Sequence, residues 1–249
     1  MDSLRNDEVA AALLRLAVVV DDELPKPYYR SEGEWPVIAA GHIARMAEIA
    51  RSAALLIQAD AQFDAYALAR VMYEQMVTYC WIAVEPTTHI KRWKDTAEAH
   101  QLAAHEEAKR YGIKMLTPKQ VERAKGKQKL TVEQMAREAD DYWAPRIESF
   151  RVLSGKKHKL DVLTITGLYL GIYRTSSRIV HAQVHSLEGV LRQVTSAKVV
   201  VERRSAPTVS FAPTIVPMFA MAIEVHRKQF KWPDVGKVRD INKDLMWEG

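Results

Sequence analysis

Residues 173–186, YRTSSRIVHAQVHS, crowd two arginines, two histidines, a tyrosine and several hydroxyls into four helical turns. Histidine titrates near neutral pH, so it can take a proton and give it back. Arginine stays charged and offers a planar fork to a phosphate. Together they suit phosphoryl chemistry: a base for a hydroxyl, an acid for a leaving oxygen, and a cation where negative charge develops. On a helix, Tyr173, Ser177, His181, Arg174, His185 and Arg178 fall within an arc of roughly 140°. Ile172, Ile179, Val180 and Leu187 take another side, where they can pack into a core. Glu188 continues the polar stripe.

A second stripe lies in the apolar stretch around residues 62–84. Gln62, Tyr66, Arg70, Glu74 and Thr78 recur at spacing four within ALARVMYEQMVTYCWIAV and its flanks. Arg70 and Glu74 can pair along one helix face. In so apolar a segment the pair is expected to be partly buried, and desolvated charges need further partners. The stripe holding Arg174 and His181 is the candidate. The same groups also suit a second role. Polar seams set register in helical bundles, so the stripes equally fit a structural network, or the lining of a non-catalytic module that binds a partner protein or a small ligand.

The elements that must position these stripes are helices. Apolar residues at helical spacing predict helices over about 7–20, from Trp35-Pro36 through Gln58, over 62–84, and from Thr87 or Thr88 to a stop at Gly112. Asp60 or Asp64 is expected to cap the third of these, and Thr117-Pro118 and Thr131 to cap two short polar helices in the middle. A long helix is expected from Asp161 to about Thr195, with Gly167 and Gly171 allowing close helix packing. KVVVERR and PTVSF read as one short β-hairpin near residues 197–212, turning at Ser205-Ala206, before a last helix over about 214–230. No linker divides the chain. The expectation is an all-α, multi-helix bundle forming a single domain over 1–249, with its core at about 35–230.

The 249 residues, 48% hydrophobic and 27% charged, suit a globular chain, and a formal charge of +5 permits an anionic partner without requiring one. The single Cys80 excludes an internal disulfide framework and fits a reducing compartment. The acidic N-terminus is unlike a secretory signal, and no apolar run reaches membrane-spanning length, so a cytoplasmic protein without a membrane partner is expected. His181 and His185 have a chelating spacing, but the neighbouring arginines repel a cation, and no metal or other cofactor is expected. His100 and His105, among Glu98, Glu106 and Glu107, read as a solvated face. His42, His89, His158 and His226 read as isolated surface or satisfied interior residues, and Cys80 as a buried hydrophobe. Phosphate-loop, dinucleotide and nucleophile-elbow patterns are missing from the sequence. The lysines of 114–129 and 156–159 read as solvated loops, with guidance of an RNA backbone as the alternative.

ARVMYEQMVTYCWIAVEP followed by YRTSSRIVHAQVHS resembles an uncharacterised bacterial helical family with an Arg-x3-Glu helix and a later Tyr-x3-Ser-x3-His helix. Arg70 and Glu74, then Tyr173, Ser177 and His181, stand at its positions, and the resemblance covers about 35–230. Arg174 and His181, with six residues between them, are also similar to the Arg-x4–6-His motif of HEPN ribonucleases. In that superfamily a polar residue follows the arginine. That residue is usually Asn, Asp or His; Thr175 after Arg174 departs from it, and apolar Ile179 after Arg178 departs further, so Arg174 with His181 is the closer match. This resemblance implies a metal-independent endoribonuclease of a bacterial toxin or defence system. It would be a homodimer, with RNA as substrate and an antitoxin or other protein as partner. His181 would be the general acid or base and Arg174 the phosphate clamp, with Ser177 and Tyr173 orienting them. Arg178 and His185 would support them, Glu74 would fix Arg174, and Arg70 would balance Glu74.

Overall fold

In the computed structural model, residues 2–23, 33–147, 164–169, 173, 191–195, 198–201, 212–232 and 238 are described. The stretches with helical apolar spacing form helices: α1 (Asp2–Glu23), α2 (Glu34–Gln58), α3 (Gln62–Ile82) and α4 (Pro86–Lys109). Then come α5 (Pro118–Ala124), α6 (Val132–Trp143), α7 (Ile165–Leu168) and α8 (Ala212–Phe230). The protein is mainly α-helical, as its periodicity requires.

Local chemistry explains several helix ends. Thr117 and Thr131 each accept the amide N–H three residues on, and Gln120 and Gln134 reach back to the cap, giving two capping boxes. Gly112, at φ 76°, stops α4, with Ile113 N–H donating to the Ala108 carbonyl and Gly112 N–H to that of Lys109. Two expected caps are not used. α3 starts after Ala61 without a side-chain cap, and Asp60 instead takes φ 55° in the turn that closes α2. Aspartate tolerates that left-handed conformation better than most residues. α4 starts at Pro86 rather than at a threonine, because proline at the first position needs no N–H partner.

α3 is the central element, packed against α2, α4, α6 and α8. Its Met72, Tyr73, Met76, Tyr79, Cys80 and Trp81 have no solvent exposure. α1 and α2 lay matching stripes together, Leu13, Leu16 and Val20 on one and Ile43, Met46, Ala50, Ala53 and Ile57 on the other. α8 is buried at every position from Ile215 to Arg227, so it packs on all faces. Its charged residues stay inside as a pair, with the Arg227 guanidinium donating to the Glu224 carboxylate at 2.8 Å. Glu138 of α6 joins α3 and α4. Its carboxylate accepts the Trp81 indole N–H at 2.6 Å and two N–H groups of Arg92 at 3.0 and 3.2 Å. Trp81 stacks on His89, centroids 4.2 Å apart.

The hairpin expected near residues 197–212 is not seen, since 202–211 lie outside the described residues. Instead β2 (Lys198–Val201) runs antiparallel to β1 (Leu191–Thr195), with Leu191 opposite Val201 and Thr195 opposite Lys198. This also corrects the helix expected through Thr195. Val194 and Thr195, like the run Val199–Val201, are β-branched and favour extended backbone.

Candidate functional site

Arg70 meets Tyr173, the first residue of the second polar stripe. On α3, Arg70 and Glu74 are one turn apart, and Arg70 Nε donates to Glu74 Oε1 at 3.1 Å. Their side chains keep 20% and 38% exposure, so the pair sits at an edge of the core that water still reaches. The guanidinium lies over the Tyr173 ring, 5.0 Å from its centroid, and Nη2 reaches the hydroxyl at 3.4 Å. The charge therefore has a carboxylate on one side and an aromatic face on the other. Desolvation lowers the Arg70 pKa, but the hydrogen bond it donates to Glu74 and the interaction with Tyr173 outweigh it and hold the group above its ordinary value. Tyr66, one turn earlier, is buried, and burial raises its hydroxyl.

Tyr173 is held by two further tyrosines. It stacks on Tyr169 at 5.0 Å and 17°, and both tilt against Tyr73 of α3. Tyr169 and Tyr173 have π-helical geometry, the wider turn that often marks a functional stretch of helix. Below them, the start of α7 is fixed from α3 and α6. Tyr73 Oη donates to the Ile165 carbonyl at 2.8 Å. The Asp140 carboxylate accepts the N–H of Ile165 at 2.7 Å and of Thr166 at 2.8 Å. Thr164 Oγ1 accepts the Gly167 N–H at 2.8 Å and completes the cap. Burial raises the pKa of Asp140 against the lowering effect of these hydrogen bonds. The Tyr73 hydroxyl is pushed far up by burial, with Asp140 adding to the effect.

Of the residues selected from the sequence, the structure brings together Arg70, Glu74 and Tyr173 across 103 positions of chain. Arg174, Ser177, Arg178, His181 and His185 lie outside the described residues, as do Gly171, His158 and the lysines of 156–159. Gly167 does not meet another helix among the described residues. A Cβ there would approach only Thr164 Oγ1, at 3.0 Å, so glycine serves the cap.

Tyr73, Tyr169, Thr164 and Asp140 were missed by sequence reasoning. The Tyr169–Tyr173 spacing of four signals stacking, whereas nothing in ADDYW marks Asp140 as the cap of a helix 25 residues away.

The other histidines separate by environment. His42 is buried and bonded to Gln75 at 2.8 Å, with burial lowering its pKa. His89 bonds the Trp81 carbonyl at 2.6 Å. His226 shares a 2.6 Å bond with Tyr79, and burial lowers its pKa to about 3. His105 corrects the solvated-face expectation. It is 7% exposed, and Nδ1 accepts the N–H groups of Met115 and Leu116, each at 3.2 Å. Cys80 is buried, with its thiol pushed up by desolvation. Lys127 is not simply solvated, since it pairs with Asp95 and Glu98 at 2.7 and 2.6 Å.

Among the described residues, no group of three or more His, Cys, Asp or Glu is placed to hold a metal ion, and no helix is long and apolar enough to cross a membrane. Residues 37–197 match a family described as a family of unknown function (DUF5677). No curated protein and no solved structure matches the chain.

Proposed function

We propose that this chain, which belongs to the family of unknown function DUF5677, is a metal-independent endoribonuclease of HEPN-like type. It would act in the cytoplasm as a homodimer of single-domain chains, within a toxin or defence system held in check by an antitoxin or other protein partner. The observation that carries the reading is the contact of Arg70 with Tyr173, which brings the α3 stripe to the first residue of the Tyr173–His185 stripe. Convergence of polar groups from separate segments is what a site acting on one phosphodiester needs.

In this reading His181 withdraws the proton from a ribose 2′-hydroxyl. The 2′-oxygen attacks phosphorus, the bond to the 5′-oxygen breaks, and the imidazolium returns the proton to that leaving oxygen. The products are a 2′,3′-cyclic phosphate and a 5′-hydroxyl. Arg174 meets the charge developing on the phosphate, with Arg178 and His185 in support. Ser177 and Tyr173 orient the histidine, Glu74 fixes Arg174, and Arg70 neutralises Glu74.

Cleavage of labelled single-stranded RNA in EDTA by the purified chain tests this. H181A is expected to lower the rate at least 10²-fold, as loss of a general acid–base group does, with its melting transition unchanged. An equal rate in H181A overturns the assignment. RNA left intact by the wild type overturns the enzyme itself, in favour of a non-catalytic module whose Arg70–Glu74–Tyr173 network, already charge-balanced and partly buried, is structural.

A further inference from the structure

The turn between α4 and α5 is built to hold apolar side chains in water. Tyr111, Ile113 and Met115 are 76%, 56% and 56% exposed, three large apolar residues within five positions. Scattered single exposures are ordinary, but such a run on one short segment is a surface feature. The backbone carrying them is fixed at three points. The bonds from Gly112 and Ile113 back to Lys109 and Ala108 close the end of α4. The buried His105 ring accepts the N–H groups of Met115 and Leu116, and the Thr117–Gln120 capping box starts α5. The shape is thus set before any partner arrives, which reduces the ordering that binding requires.

Charge selects the partner. Residues 105–129 carry eight basic and three acidic side chains, an excess as large as the +5 of the entire chain. Several cations are already matched. Arg110 pairs with Glu107, Arg123 with Glu98, Lys125 with Glu122, and Lys127 with Asp95 and Glu98. Lys109, Lys114 and Lys119 flank and interrupt the apolar trio, and none forms an ion pair with an acid among the described residues.

We propose that this turn docks on an anionic lipid surface, with Ile113 and Met115 entering the headgroup–acyl boundary. Tyr111 sits at the interface, where its ring is apolar and its hydroxyl wet. Lys109, Lys114 and Lys119 meet lipid phosphates and carboxylates. Two aliphatic side chains favour lipid over nucleic acid, which is bound by rows of stacking aromatic faces. Adsorption of this kind needs no spanning helix. It uses none of the residues assigned to RNA cleavage, so either proposal can fail without the other.

The test is co-sedimentation of the full chain with phosphatidylcholine vesicles, with and without phosphatidylserine, at low and high salt. Binding is expected only with phosphatidylserine and is expected to weaken as salt screens it. I113S/M115S is expected to reduce partitioning about tenfold or more, and K114E/K119E to abolish it, both with unchanged circular dichroism and melting. No binding to phosphatidylserine vesicles, or equal binding by both variants, overturns the proposal. So does binding of a single-stranded RNA through these four residues without lipid binding, or conversion of a dimer to a monomer in I113S/M115S without lipid binding. Those last two results would assign the turn to nucleic acid or to a second copy of this chain.

Discussion

A charge partly withdrawn from water needs neighbours that offset its lost hydration, and the Arg70 guanidinium has the Glu74 carboxylate and the Tyr173 ring beside it. The buried histidines show the opposite solution. His226 is kept neutral by burial and shares a hydrogen bond with the Tyr79 hydroxyl. Its pKa falls from 6.5 in the unfolded chain to about 3 in the fold. The unfolded state therefore binds the extra proton between those values, so stability is full above pH 6.5 and is lost as pH falls towards 3. Urea unfolding should show a loss of about 2 kcal/mol from pH 7 to pH 5. His226→Gln, which keeps an acceptor for Tyr79, should remove that component, leaving the smaller loss in the same direction from His42. An unchanged acid slope in the variant would place the sensitivity elsewhere. The pairing of Arg70 with Glu74 was readable from their spacing, because a helix's period puts them on one face, whereas the contact of Arg70 with Tyr173 was not. Residue types misassigned His105, because its two amide partners come from a turn ten residues on.

Among the elements, α7 depends most on its neighbours. Starting a helix is its costliest step, since nucleation fixes several dihedral angles for one hydrogen bond. Its first turn is secured by Asp140, Tyr73 and Thr164. Asp140→Ala leaves two amide donors without their acceptor and should cost about 1–3 kcal/mol, read as a lower urea midpoint with an unchanged m-value. A midpoint equal to wild type would mean that Asp140 is not the anchor. Thr-x-x-Gln made α5 and α6 legible because a capping box is a local pattern. The start of α7 was not legible, because its first two amides are held by Asp140 of another helix. The β1–β2 pairing was hidden for a related reason. VVV can pair with a strand on either side, and local propensity does not choose between them.

At the scale of the molecule, α8 joins the early helices into one core, touching α1, α2 and α3. Glu224 and Arg227 are buried there, with side chains only 6% and 7% exposed. Removing Glu224 takes a buried carboxylate partner from Arg227, so Glu224→Leu should destabilise by about 3–5 kcal/mol. Glu224→Leu with Arg227→Leu should cost less than that single change, and denaturant unfolding of both variants decides. A double variant at least as damaged as the single one would show that the pair is more than self-compensating. The helical class was readable from periodicity and composition, but the all-round burial of α8 was not, because that depends on which helices surround it. Synthesis proceeds from α1 onward, and α8 ends at Phe230. The apolar faces of α1, α2 and α3 that α8 covers must therefore wait, unclosed, until more than two hundred residues have left the ribosome. The core of the early helices therefore closes late in synthesis, once α8 is in place.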